Sequence, residues 1–194
     1  STGLAVFTNA ADTRNIGADA VLTYGDDYAG FGRVDWSVAA NVNQVKVTNV
    51  KAPPAQLGGQ KLLDQGALSY IEDASPAFRI NLGALWRKND WTVNLRENIY
   101  GPSSYYSSVN NITYYENRIS TKYITDLDVT NQITKAWSVS VGANNLFNVY
   151  PDKLNSEYRQ ALNTLGRQNV AQYASFSPVG INGGYYYVKA NFRF

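Results

Sequence analysis

The chain has 194 residues, enough for one domain with a core of its own. Charged residues make up 16%, against roughly 25% in an ordinary soluble domain, and aromatics reach 13% with 15 Tyr; that balance excludes intrinsic disorder. The 17 basic and 15 acidic residues leave no net field that would draw in nucleic acid, and with neither Cys nor His there are no disulfides, thiolate metal sites or imidazole bases.

No run approaches the ~18–20 apolar residues of a membrane helix. The opening Ser1-Thr2-Gly3-Leu4 lacks the basic region of a signal peptide. Because no Met occurs, the chain reads as a processed product or an excised piece of something longer.

Period-two alternation predicts about eight strands, over 3–9, 14–25, 31–44, 76–88, 90–101, 118–131, 135–147 and 183–194. In the third, Val34, Trp36, Val38, Ala40 and Val42 oppose Arg33, Asp35, Ser37, Asn41 and Asn43. The fourth sets Phe78, Ile80, Leu82, Ala84 and Trp86 against Arg79, Asn81 and Arg87. The fifth sets Trp91, Val93, Leu95 and Ile99 against Thr92, Asn94, Arg96 and Asn98, and the seventh sets Trp137, Val139, Val141 and Ala143 against Ser138, Ser140, Gly142 and Asn144. In the last, Tyr186, Val188, Ala190, Phe192 and Phe194 share one face, and Tyr185, Tyr187, Lys189, Asn191 and Arg193 the other.

The connections alternate in length. Short links fall near Gly25–Gly30, Lys88–Asp90 and Ile133–Lys135, and long ones span 45–75, 102–117 and 148–182; a tight link at Asn9–Thr13 is the exception on the long-loop side. Short turns on one rim and long loops on the other are the pattern of an outer-membrane β-barrel. A soluble sandwich would alternate too, but has no reason to sort its loops.

Charge separates these readings. The polar faces carry Asp19, Arg33, Asp35, Arg79, Arg87, Arg96, Lys122, Asp126, Asp128, Lys189 and Arg193, while the apolar faces carry Glu97. A one-residue slip would exchange the two sets and turn the charges toward lipid, at a cost on the order of 10 kcal/mol. The lumen-facing charges are therefore expected at Arg79, Arg96, Asp126, Asp128 and Lys189. Trp36, Trp86, Trp91 and Trp137 all fall at the short-turn end of the apolar face, as a membrane girdle would.

Val139-Ser140-Val141-Gly142-Ala143-Asn144-Asn145-Leu146-Phe147-Asn148 resembles the strand of TonB-dependent outer-membrane receptors that ends in an Asn-Leu-Phe motif. The run Ser177-Pro178-Val179-Gly180-Ile181-Asn182-Gly183-Gly184-Tyr185-Tyr186-Tyr187, leading to Phe192-Arg193-Phe194, is similar to the family's last strand, with Val179 and Gly184 departing from its usual Phe and Arg. Upstream, Asn15-Ile16-Gly17-Ala18-Asp19-Ala20 looks like a family hairpin with Asp19 in place of Glu, and Pro76 before Phe78 and the Tyr100-Gly101 strand end also fit, so the likeness is collinear over 1–194.

The resemblance implies an all-β, antiparallel up-and-down transmembrane barrel portion, the last third of a barrel of about 22 strands whose plug lies elsewhere. It implies no enzymatic activity and no cofactor. It implies a bacterial outer-membrane location and uptake of a ferric siderophore or similar scarce nutrient. The partners it implies are the lipid bilayer, the TonB complex through the plug, the barrel-assembly machinery through terminal Phe194, and a small ligand such as a ferric chelate, with no nucleic acid.

Tyr105, Tyr106, Tyr114 and Tyr115 crowd one long loop, and Tyr150, Tyr158, Arg159, Arg167 and Tyr173 another. Tyr105, Tyr106, Tyr114, Tyr115, Arg159 and Arg167 are the candidate ligand-binding residues, because rings with guanidinium groups suit an anionic, partly aromatic ligand. The competing reading is that these rings pack on one another. Asp126 and Asp128 could pair as in a glycosidase or metal site, but a charge network with Lys122, Lys189 and Arg193 is the simpler account, and no catalytic or metal site is assigned. Gly30-Phe31-Gly32 is two glycines at a turn. An alternative to the receptor is a complete eight-stranded outer-membrane barrel with a structural or adhesive role.

Overall fold

A computed structural model describes residues 9–53, 61–167 and 172–194 of the chain. Seven strands form one antiparallel sheet: β1 (Ala11–Tyr28), β2 (Gly32–Val50), β3 (Phe78–Lys88), β4 (Trp91–Tyr100), β7 (Lys122–Gln132), β8 (Trp137–Asn144) and β9 (Tyr185–Phe192). Their order in the sheet follows the chain, interrupted only by a separate hairpin of β5 (Ser103–Ser108) and β6 (Tyr114–Ile119). This is an up-and-down meander, all-β as the alternation predicts. Among the described residues β1 and β9 are its two edges. The expected first strand, 3–9, lies outside them except for Asn9.

Directly opposed residues share a face, so the register can be read row by row. One row runs Trp36, Ala84, Leu95, Leu127, Ala143, and the next on the same face runs Val34, Trp86, Val93, Val129, Val141 and Val188. On the opposite face Gly83, Arg96 and Asp126 are aligned, as are Asn94, Asp128, Gly142 and Tyr187. The faces are those the alternation assigns. The apolar face does not converge on a dry centre: Leu22, Leu82, Leu95, Val141 and Val188 all remain exposed, Val188 at 75%. Burying each would be worth about 1.5–3 kcal/mol, so a continuous open surface of this kind marks contact with lipid or another protein.

The turns sort as expected. Residues 29–31, 89–90 and 133–136 close the rim with short turns, while 51–77, 101–121 and 145–184 span the other. The structure corrects several boundaries. The tight link at Asn9–Thr13 is already strand from Ala11, and 45–50 belong to β2, because the ends of β1 and β2 pair with each other well past Val42, where β2 leaves β3. Arg118 and Ile119 belong to β6 rather than to the strand that becomes β7.

The long connections are also more than loops. The first holds helix α1 (Gln65–Glu72), started by Asp64, whose side chain accepts the Ala67 amide at 2.7 Å. The second is the β5–β6 hairpin. The third holds α2 (Ser156–Thr164), whose first-turn amides of Glu157 and Tyr158 are accepted by the Asn155 side chain. Together they build a cap with its own small core of Ala74, Tyr105, Ile119, Leu154 and Ala174.

Candidate functional site

The polar face of the sheet carries a linked network. Asn81 donates to Asn98 Oδ1 at 2.6 Å, Asn98 donates to Asp126 at 3.3 Å, and Asp126 also accepts the Asn145 amide at 2.9 Å. One row nearer the short turns, Asp128 accepts from Thr130 Oγ1 at 2.9 Å and from Tyr187 at 2.8 Å, and Thr130 shares a further bond with Ser140 at 2.7 Å. Arg96 stands opposite Asp126, Lys189 opposite Ser140, and Arg79 packs its guanidinium 5.0 Å from the centre of the Tyr100 ring. Arg79, Arg96, Asp126, Asp128 and Lys189 all lie on this face, but the two carboxylates bond to neutral donors, and Lys122, expected in their network, pairs with Asp152 instead. Toward the short turns Asp35 pairs with both Arg33 and Arg87.

At the turn rim Trp36, Trp91 and Trp137 are about half exposed. Trp86 packs against Phe31 with ring centres 5.7 Å apart and donates its indole N–H to Phe31 O at 2.8 Å. Trp137 packs on Phe192 at 4.7 Å, and Phe192 in turn meets Phe194 at 6.2 Å, whose own ring is fully exposed. Amphipathic rings toward the short-turn end of an open apolar face suit a boundary between hydrocarbon and water.

Glu97 interrupts the apolar face between Leu82 and Thr125, and Thr125 Oγ1 donates to its carboxylate at 2.5 Å. That bond gives the carboxylate a partner in the middle of a largely apolar surface.

In the cap the tyrosines divide. Tyr105 is 2% exposed; its ring stacks on Tyr70 at 5.2 Å and meets Phe176 at 5.2 Å, and its hydroxyl accepts the Ser175 amide at 3.3 Å. Tyr106 is on the other face of the same strand, where its amide donates to Ser69 Oγ at 2.9 Å. Tyr115 faces Tyr158 of α2 at 5.8 Å, and Tyr114 lies beside Gly66 of α1. Arg159 is half-buried in α2 and Arg167 is exposed beyond it. The six candidate ligand residues are therefore not gathered around one opening; the aromatic contacts join the three long connections to one another.

The two runs that carry the family resemblance are bound together. Asn145, with φ 55°, ends β8; its side chain accepts Val149 N at 2.8 Å and donates to Val149 O at 2.7 Å. Asn148 Oδ1 accepts the Gly184 amide at 2.8 Å, and Tyr186 donates to Leu146 O at 2.9 Å. A Cβ at Gly184 would come within 2.8 Å of Asn145 O, so the departure from the family's usual Arg follows from this close approach.

Sequence reasoning missed Asp152. Its carboxylate accepts both the amide (2.7 Å) and the hydroxyl (2.8 Å) of Ser120 and pairs with Lys122 at 2.9 Å, tying the third long connection to the start of β7. Partial burial works against its ionisation, but Lys122 and the two Ser120 bonds outweigh that and hold the carboxyl below the usual range. An isolated Asp in a long loop gives no sequence signal of such a partner.

No protein-family model matches this sequence, and no curated protein does. Among solved structures, it is similar to a chain of the FpvAI–pyocin S2 complex, with a TM-score of 0.50 and 16% identity over 72% of this chain. The likeness is one of fold. This chain spans 16% of the length of that one.

Proposed function

We propose that this chain is the C-terminal wall segment of a TonB-dependent receptor in a bacterial outer membrane, taking up a ferric siderophore or a similar scarce nutrient. The observation that carries the reading is the inverted amphipathicity of the sheet. Its large apolar side chains stay exposed on one face while charges and amides bond to one another on the other. Strands β3, β4 and β7 have 11, 10 and 11 residues, matching the roughly 9–11 residues a tilted strand needs to cross hydrocarbon.

The collinear motifs and the likeness to part of a receptor chain support the family. Among the described residues β1 and β9 are paired on one side only, which suits a wall that continues into further strands. In this reading the bilayer meets the apolar face, the assembly machinery reads the strand ending in Phe194, and TonB acts through a plug outside these residues. Cell fractionation with iron-uptake assays tests it, using the full-length protein in cells with and without TonB. Outer-membrane protein and TonB-dependent uptake of a ferric chelate are expected; a soluble protein, or uptake indifferent to TonB, would refute it.

A further inference from the structure

The run Ile181-Asn182-Gly183-Gly184 holds the one Asn-Gly step in the chain. Asn182 is exposed in a turn just before β9, and Gly183 follows it at φ 70°. Among the described residues, neither the Asn182 side chain nor the Gly183 amide has a hydrogen-bond partner. The Gly183 nitrogen is one peptide unit from the Asn182 carboxamide and closes a five-membered ring when it attacks Cγ. Having no Cβ, Gly183 puts no side chain in the path of that attack.

The other asparagines of this connection are held. The Asn145 side chain makes two bonds to Val149, and Asn148 Oδ1 accepts the Gly184 amide. Asn155 accepts the amides of Glu157 and Tyr158 and donates to Glu116 O at 3.2 Å. Each is followed by a residue with a side chain: Leu146, Val149 and Ser156.

The reaction needs only water. As the Gly183 N–Cγ bond forms, the Cγ–Nδ2 bond breaks, and ammonia leaves with the proton from the Gly183 nitrogen. Water then opens the cyclic imide at either carbonyl. Opening at Cγ gives aspartate; opening at the backbone carbonyl gives isoaspartate, whose main chain runs through Cβ and Cγ and is one atom longer.

That extra atom falls where the chain has no slack. Gly183 lies so close to Asn148 and Tyr150 that a Cβ on it would collide with both, and the next amide, Gly184, rests on Asn148 Oδ1 at 2.8 Å. With Tyr185 fixed opposite Asn144 in the sheet, a lengthened backbone at 182 displaces Gly183 and Gly184 from these contacts.

We infer that Asn182 is a self-modifying position: in the folded protein it converts to aspartate and isoaspartate, and the isoaspartyl form releases the Gly184 amide from Asn148. The turn alone carries this inference, which does not rest on the uptake reading.

Ageing the full-length protein in lipid vesicles at neutral and mildly alkaline pH, beside the same protein in urea, tests it by tandem mass spectrometry of the digests. Asn182 in the folded protein should gain the mass of an amide-to-acid change ahead of Asn145, Asn148 and Asn155. Its rate should match that in urea and rise with pH, because the attacking species is the deprotonated amide. In isoaspartyl molecules, separated by chromatography, hydrogen-exchange protection across residues 183–186 should fall. Asn182→Asp, which adds the charge without lengthening the chain, should keep that protection, and Asn182→Gln should show no conversion. An Asn182 that stays intact when folded but converts in urea would overturn the inference. So would unchanged protection in the isoaspartyl form, or an equal loss in Asn182→Asp. None of these readouts involves TonB, so failure here leaves the uptake reading standing, and failure of uptake leaves this result standing.

Discussion

Tyr187 of β9 reaches across β8 to donate its hydroxyl to Asp128 of β7 at 2.8 Å, and it can do so because Gly142 lies beneath its ring. A Cβ at Gly142 would come within 2.4 Å of the Tyr187 ring. Three successive strands are thereby clipped together on the polar face, next to the open edge at β9. An edge strand paired on one side gains most from such a tie.

Gly142→Val should push Tyr187 off its seat and break the bond to Asp128, destabilising the sheet by about 1–3 kcal/mol. Tyr187→Phe should cost about 1–2 kcal/mol. The double variant should cost less than the sum, because both remove one interaction. Urea titrations of the full-length protein folded into lipid vesicles measure all three.

The sheet should tolerate charge on one face and not on the other. Leu95→Arg puts a guanidinium on the exposed apolar face and should cost about 2–4 kcal/mol of stability in vesicles. Asn94→Arg, one residue away on the polar face, should cost less than about 1 kcal/mol. Folded fraction by heat-modified gel mobility distinguishes them.

These contrasts rest on features legible in the sequence, and the reason is physical. Wherever one face meets an apolar medium and the other a polar one, each residue from Trp36 to Val42 or from Trp91 to Ile99 must alternate, and period two is imprinted. The cap has no such contrast. In β5 the segment Ser103-Ser104-Tyr105-Tyr106-Ser107-Ser108 puts one Tyr and two Ser on each face, so its pairing with β6 leaves no alternation to read. Helices α1 and α2 have eight and nine residues, too short for a clear helical period. The candidate ligand tyrosines were visible as a cluster in sequence, but which of them pack inward, as Tyr105 does, depends on Tyr70 and Phe176 from other connections.

Docking of the third long connection should depend on pH through Asp152. Its carboxyl titrates below the usual value when docked, whereas a released Asp titrates near 3.9. The released state therefore binds more protons in the window between the two. Docking is at full strength above about pH 5 and is lost as pH falls through the depressed value. Hydrogen-exchange protection across residues 145–165, each rate referred to the intrinsic rate at that pH, should fall on acidification in that window, and Asp152→Asn should show the low protection throughout.

Asn145 should be intolerant of change. Asn145→Ala loses two bonds to Val149 and places Ala at φ 55°, for a combined cost of about 2–4 kcal/mol. Limited proteolysis should then cut near residues 146–150 faster than in the wild-type chain.

The absence of native Cys allows spin labels to be placed singly along β4 and β8 in vesicles, and this measurement bears most directly on which face meets lipid. Labels at Val93, Leu95, Val139 and Val141 should relax strongly with oxygen and weakly with a water-soluble nickel complex, and labels at Asn94, Arg96 and Ser138 should show the reverse. If the labels at Val93, Leu95, Val139 and Val141 were shielded from both reagents, those side chains would be packed in a protein core, and the membrane-wall account would be wrong.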